Sequence, residues 1–194
     1  MALTKTTTID LIDEWASVGS GMMREGAAKS IADSYSSLLY IDLANTSTNA
    51  QSGVTITVEV SYGDVDWTPL LSFKSNATGA ETSTLSAEVT VGSTNIFVTA
   101  VSSMATIGRR WFVLDGTDSE IVTTKSDKTG GQLGLTNGVK ATHANTTPVY
   151  SLAESWVITL PDAASQVRVL YNNLDVDSSV FTTSRVSKIT SVTA

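Results

Sequence analysis

The sequence predicts an all-β protein, an antiparallel β-sandwich that carries a small inserted β-barrel or sandwich module and an N-terminal arm. Apolar and polar residues alternate with a period of two in several segments, as expected for strands with one buried face. Clusters of Gly, Asn, Asp and Ser separate these segments and mark turns. Only 16% of the residues are charged, against about 25% in an average soluble domain, and Ser and Thr fill much of that gap. Thr favours strands and Ser favours turns.

The alternation is clearest in two segments of the first half of the chain. SSLLYIDLA places Leu39, Ile41 and Leu43 on one face, and GVTITVEVSYG repeats the pattern. Because loop residues join them, we expect these segments to form an antiparallel meander with one wet face. The next segment, VDWTPLLSFKS, predicts an edge strand, since Pro69 has no amide hydrogen to donate to a ladder.

The chain is predicted to have three parts. Residues 1–29 form an N-terminal arm, residues 30–78 together with 153–194 form the outer sandwich, and residues 79–152 form an inserted module of five or six short strands. Two consecutive sandwiches are the alternative. We favour the insertion because the strands on either side are too few to close a core alone, and because an insertion in an exposed turn costs little.

The arm is polar and rich in Thr, and its sequence allows two conformations. In DLIDEWASV, apolar residues at helical spacing follow Asp10, a plausible helix cap, and predict a short helix that ends by Gly19. We favour the second conformation, an extended arm that lies on a neighbouring subunit. Five apolar residues of the arm have no evident core nearby and are the predicted assembly contacts: Leu11, Ile12, Trp15, Met22 and Met23.

The segment WFVLDGTDSEIVTTKS holds three acids close together, Asp115, Asp118 and Glu120. Asp-Gly is a strong hairpin signal, so we expect two strands joined at this turn, with the Asp115 carboxylate capping it. The ligand spacing of an EF-hand is absent, which makes a weak cation site or a catalytic role the less favoured interpretation.

A second acidic segment, NNLDVDSS, is interpreted in the same way. It could collect oxygen ligands around Ca²⁺, but a polar loop between strands is the favoured interpretation. The residues concerned are Asn172, Asn173, Asp175 and Asp177.

The sequence has no Cys and one His, His143. These counts exclude disulfides, thiol chemistry and a metal site with several imidazoles. We expect His143 to be neutral and bonded to its own turn, because no nucleophile or orienting acid is identifiable by spacing. No catalytic residue, metal or cofactor is therefore predicted, and the protein is not expected to be an enzyme.

The net charge of −7 argues against sequence-specific nucleic-acid binding, which needs clustered Lys and Arg. No segment is apolar enough for a membrane span, and the first residues lack the apolar core of a signal peptide. Two aromatic residues at a predicted loop tip, Tyr62 and Trp67, are candidate ligand-facing residues for a polysaccharide or a receptor.

The predicted module resembles a β module that recurs in structural proteins of tailed bacteriophages. The resemblance rests on a Gly-Ser-Thr start at GSTNIFV, the pattern DGTDSEIV, the short LGL, and a His-Ala pair in KATHANT. The flanks, LYIDLA, GVTITVEVS, DWTPL and WVITLP, are similar to a sandwich found in uncharacterised virion proteins of such phages. The polar leader before Ser30 departs from the family pattern.

The resemblance implies a virion protein that assembles in the host cytoplasm with copies of itself and with other virion proteins. Its position would be on the capsid as a decoration or cement protein, at the neck as a head–tail connector, or in the tail. A symmetric homo-oligomer is expected. A virion protein that binds a host receptor or a polysaccharide is the alternative.

Overall fold

The computed structural model describes residues 4–48, 53–63, 66–76, 79–99, 108–125, 131–175 and 179–193. Within these ranges every regular element is a β-strand, except one turn of 3-10 helix at Gly116–Asp118. The strand pairs whose register is described are antiparallel. The predicted all-β, antiparallel fold class is confirmed.

The strands are numbered in chain order, and their bounds are β1 (Thr4–Val18), β2 (Met23–Glu25), β3 (Lys29–Ser30), β4 (Ser36–Asn45), β5 (Val54–Ser61), β6 (Trp67–Lys74), β7 (Thr82–Thr84), β8 (Asn95–Phe97), β9 (Arg110–Val113), β10 (Glu120–Thr123), β11 (Gln132–Gly134), β12 (Pro148–Tyr150), β13 (Leu152–Thr159), β14 (Gln166–Asn173) and β15 (Val180–Thr193).

The chain divides into two compact units. The sandwich unit comprises residues 1–43, 52–77 and 155–194, and the module unit comprises residues 44–51 and 78–154. Each unit has its own cluster of buried apolar side chains. Each can therefore be described by itself.

The sandwich unit is built from two sheets. One has four strands in the order β1-β15-β4-β13, and the other has the order β2-β14-β5-β6 with β3 also paired to β14. Alternate residues of β4, β5 and β14 are buried, and they join residues of β1 and β15 in a single core. The period-two alternation in the sequence thus corresponds to side chains that point into this core.

The predicted meander of residues 36–44 with 53–63 is wrong. Both segments are strands, but β4 lies in the four-stranded sheet and β5 in the other sheet. Residues 44–51, which connect them, belong to the module unit. Alternation shows that a strand has one buried face, but it does not show which strand lies beside it, and that is why the expectation failed.

The predicted position of Pro69 is confirmed. It lies in β6, at the edge of its sheet, and the register of β6 with β5 shifts between Val58 and Glu59, the residue opposite Pro69. An edge position and an irregular register accommodate a residue that cannot donate to the ladder.

The predicted N-terminal arm is a strand of the sandwich unit instead. Residues Thr4–Val18 form β1, which runs antiparallel to β15 along nearly its whole length. Ile12 and Val18 are buried in the sandwich core. The helical alternative is also wrong, because the segment that contains Ile12 is a β-strand paired with β15. The residues of β15 lie near the other end of the sequence.

The module unit contains short strands. Its larger sheet has the order β10-β9-β12-β7, and β11 pairs with β8. Trp111, Val113, Leu133 and Val149 are among the fully buried residues of its core. The predicted hairpin is confirmed, since β9 pairs with β10 in the register Val113↔Glu120 to Arg110↔Thr123.

Adjacent residues of β1 allow a direct test of its place in the core. Ile12 is 7% exposed and Leu11 is 48% exposed. We expect Ile12→Ala to lower the free energy of unfolding by about 2–4 kcal/mol, because it leaves a cavity, and Leu11→Ala to change it by about 0.5 kcal/mol or less. Urea unfolding of the two variants measures this difference. Equal costs, or a larger cost for Leu11→Ala, would contradict the packing of β1.

Candidate functional site

The turn between β9 and β10 is closed by a hydroxyl rather than by a carboxylate. The Asp115 amide donates to Ser119 Oγ at 2.8 Å, and Ser119 Oγ donates to the Gly116 carbonyl at 2.8 Å. Gly116 has a φ of +56°, which glycine adopts at little cost. The Asp115 side chain makes no capping hydrogen bond here, so the prediction that its carboxylate caps the turn is wrong.

The acids of the turn bind His143 instead. His143 Nε2 lies 2.9 Å from Glu120 Oε1, and His143 Nδ1 lies 3.0 Å from Asp115 Oδ2. The imidazole is fully buried, Glu120 is 6% exposed and the Asp115 side chain is 38% exposed. We call these three residues the histidine network. It links the β9–β10 turn to the loop that follows β11.

Glu120 holds that loop through its backbone as well. Its Oε1 atom accepts hydrogen bonds from the amides of Lys140, at 2.8 Å, and Ala141, at 3.3 Å. The backbone of His143 is fixed in turn by two hydrogen bonds with Val89, both of 2.9 Å. The ring is therefore positioned by its own main chain and by both carboxylates.

The expectation that His143 bonds its own turn is therefore wrong. Its partners lie 23 and 28 positions earlier in the chain, beyond the reach of spacing rules for a turn. The signal that could have found them was the resemblance, because DGTDSEIV and the His-Ala pair both belong to the motifs of the same module. Sequence reasoning treated each motif separately.

The three acids of the turn do not form a cation site in this structure. Asp118 is exposed, whereas Asp115 and Glu120 are turned to opposite nitrogens of the ring. Across the described ranges, no group of three or more His, Asp or Glu side chains is arranged to hold a metal ion.

A second polar cluster lies in the sandwich unit and ties β1 to its neighbours. Arg24 pairs with Asp13 at 3.1 Å and donates to Thr182 Oγ1 at 2.8 Å. The Asp13 side chain is 10% exposed, and this burial raises the pKa of its carboxyl above the usual range, although Arg24 opposes the shift. A Cβ atom on Gly26 would lie 2.2 Å from Asp13 Oδ2, so a larger residue at that position would displace the Asp13 carboxylate.

The residues of NNLDVDSS are used for structure. Asn172 and Asn173 belong to β14, and the Asn173 side-chain amide donates to the carbonyls of Val18 and Gly19, at 3.1 and 3.2 Å. Asp175 is buried, and its amide donates to Asn173 Oδ1 at 3.2 Å. Asp177 lies outside the described residues. The contacts of Asn173 hold the end of β1.

The predicted assembly contacts fall into two groups. Ile12 is not an assembly contact, because its side chain is buried in the core of the sandwich unit, and Trp15 is half-buried. Leu11, Met22 and Met23 are exposed. Met22 and Met23 adjoin Leu174, also exposed, because the Asn173 amide bonds the Met22 carbonyl and Asn172 pairs with Met23.

The two candidate ligand-facing aromatic residues differ. Tyr62 is 54% exposed. The Trp67 ring is covered on one face by the guanidinium of Arg168, whose Cζ lies 4.2 Å from the ring centroid. Arg168 is itself held by ion pairs with Glu59, at 2.7 Å, and with Glu25.

As for membranes, none of the described residues belongs to a helix with the length and apolar character needed to cross one.

No protein-family model matches the sequence, and no curated protein matches it significantly. The solved structures that match this chain include three of low similarity. A chain from Bacillus endospore appendages, described as disulfide-linked pili, has 10% identity and a TM-score of 0.36 over 97% of this chain and 92% of that chain. The K1 cleaved adhesin domain of Lys-gingipain from Porphyromonas gingivalis W83 has 8% identity and a TM-score of 0.38, over 95% and 98%. VP17, a capsid protein of bacteriophage P23-77, has 9% identity and a TM-score of 0.20, over 100% of both chains. At TM-scores this low, none of these structures assigns a function.

The histidine network is expected to stabilise the module unit. Glu120→Gln keeps the size of the side chain but removes the charge that accepts three hydrogen bonds, so we expect unfolding to become easier by about 1.5–3 kcal/mol. The matched control is Asp118→Asn, in the same turn but exposed, with an expected change of about 0.5 kcal/mol or less. Denaturant unfolding followed by Trp fluorescence measures both. If Glu120→Gln were as mild as Asp118→Asn, the network would have no structural role.

The buried Asp13 carboxyl predicts a pH effect of defined sign. Because its pKa is raised in the folded state, the folded protein binds a proton more readily at this site than the unfolded chain does. Asp13 therefore contributes more stability as the pH falls through its pKa, and less as the pH rises. The difference in unfolding free energy between wild type and Asp13→Asn should shift in favour of wild type between pH 7 and pH 4. A shift in the opposite direction would show that the Arg24 pair outweighs burial.

Proposed function

We propose that this chain is a non-enzymatic structural protein of a bacteriophage particle. It assembles with copies of itself and with other virion proteins, as a capsid decoration or cement protein or as a subunit of the neck or tail. The proposal joins the resemblance of the module motifs to the way in which the fold uses its polar and apolar groups.

The observation that carries the proposal is the complete engagement of His143. Both ring nitrogens are hydrogen-bonded to carboxylates and the ring is fully buried. A general base needs a nitrogen within reach of a substrate proton, and neither nitrogen of this ring offers one. The one histidine of the sequence thus supports a role in holding two loops together rather than in catalysis.

The exposed apolar side chains support assembly. Several large apolar side chains of the sandwich unit are exposed at its surface: Ile9, Leu11, Met22, Met23, Tyr35, Val157 and Leu174. Burial of such residues against a partner removes apolar area from water at about 25 cal/mol per Å². They provide surface for contacts between subunits.

The alternative of a polysaccharide or receptor binder has weaker support. Sugar rings stack on open aromatic faces, and one face of Trp67 is occupied by Arg168, which two glutamates hold in place. Tyr62 is exposed, but a single tyrosine provides a small platform. The arrangement of these side chains favours the structural role.

Quantitative mass spectrometry of purified phage particles tests the proposed function. The expected result is a fixed number of copies per particle that matches the symmetry of the shell, the neck or the tail, because structural subunits occupy equivalent positions. Absence of the chain from purified particles, with the protein found only free in the lysate, would overturn the proposal.

A further inference from the structure

We propose that residues Thr7–Leu11 of β1 pair antiparallel with the same residues of a second copy, so that the four-stranded sheets of two subunits continue into one another. This inference rests on the proposed function and names the contact through which copies associate. The pair would have two-fold symmetry, and such pairing uses the same surface on both subunits.

Residues Thr7–Leu11 present a regular edge. β1 is an edge strand, and in the described part of the chain no strand pairs with it on the side away from β15. Five successive residue pairs, from Thr7↔Ile189 to Leu11↔Arg185, lie between the register shifts at Thr6/Thr7 and Leu11/Asp13 and contain no shift themselves. A regular edge presents a row of backbone donors and acceptors that another strand can use.

The edges of the other large sheets are protected from pairing. In the five-stranded sheet, β2 has three residues and β6 contains Pro69 and a register shift. In the module unit, the edge strands of the larger sheet, β7 and β10, have three and four residues. Short strands, prolines and irregular registers protect edges from pairing, and residues 7–11 of β1 contain no proline and no register shift.

Two apolar side chains of this strand are exposed. Ile9 is 68% exposed and Leu11 is 48% exposed. Ile9 pairs with Ser187 and Leu11 with Arg185, so both lie on the outer face of the sheet with polar neighbours. Between them, Asp10 forms an ion pair with Lys188 of the same chain. If the two-fold axis passes through Ile9, then Ile9 meets its own copy and Leu11 meets Thr7.

The distribution of charge along β1 suits pairing of this strand with its own copy. Residues 4–9 contain no acid, whereas residues 10–14 contain Asp10, Asp13 and Glu14. Antiparallel self-pairing about Ile9 therefore places the acidic half of one strand opposite the acid-free half of the other. Like charges directly opposite one another are destabilising, and this arrangement avoids them.

Sedimentation velocity of the purified full chain over a range of concentrations tests the inference. We compare wild type with Ile9→Lys and with the matched control Val157→Lys. Val157 is 58% exposed and lies on β13, the other edge strand of the same sheet. Ile9→Lys places two ammonium groups together at the two-fold axis and should weaken dimer formation by roughly 100-fold. Val157→Lys should leave it unchanged.

Disulfide trapping gives a second measurement, because the chain has no Cys. Oxidised Ile9→Cys should give a covalent dimer, and Val157→Cys should stay a monomer under the same conditions. Circular dichroism of each variant checks that the fold is kept.

Two outcomes would overturn the inference. One is Ile9→Lys associating as tightly as wild type, or Val157→Lys weakening association equally. The other is a wild type that stays monomeric while Ile9→Cys fails to form a covalent dimer. Neither outcome removes the chain from purified particles, so failure of this inference is distinguishable from failure of the proposed function.

Discussion

The antiparallel pairing of β1 with β15 is the interaction on which the sandwich unit depends. It brings residues near the two ends of the sequence into one ladder and carries Ile12 and Val18 into the core. Asn173 and the Asp13–Arg24 pair then hold β1 from the side of the other sheet. The same pairing makes β1 the outermost strand of its sheet. The free side of an outermost strand is an edge that can pair, and it is the edge that we propose for association.

The histidine network has a comparable place in the module unit. Its strands have only three or four residues, too short for ladders alone to fix the loops between them. A buried polar group is costly unless it is hydrogen-bonded, and here both nitrogens of the buried His143 ring lie against carboxylate oxygens. Polar residues that resemble a reactive site in the sequence are thus used to join two loops over a small core.

The sequence predicts what depends on local pattern and misses what depends on distant partners. The β class, the edge position of Pro69 and the Asp115-Gly116 hairpin follow from alternation, a missing donor and turn chemistry, all local properties. Other features depend on residues that folding brings together. They are the separate sheets to which β4 and β5 belong, the burial of Ile12 and the partners of His143. The Thr-rich leader shows the limit best, because its polar sequence fits a surface arm and an edge strand equally well.

In this account the interior polar groups hold the fold and the exposed strand edge makes the contacts between subunits. Hydrogen–deuterium exchange at low and high protein concentration tests this division most directly. Exchange of the backbone amides of residues 7–11 should slow as the concentration rises, while exchange in β13 stays the same, because new ladder hydrogen bonds form only at the β1 edge. Unchanged exchange in residues 7–11, at concentrations where larger species are present, would contradict the account.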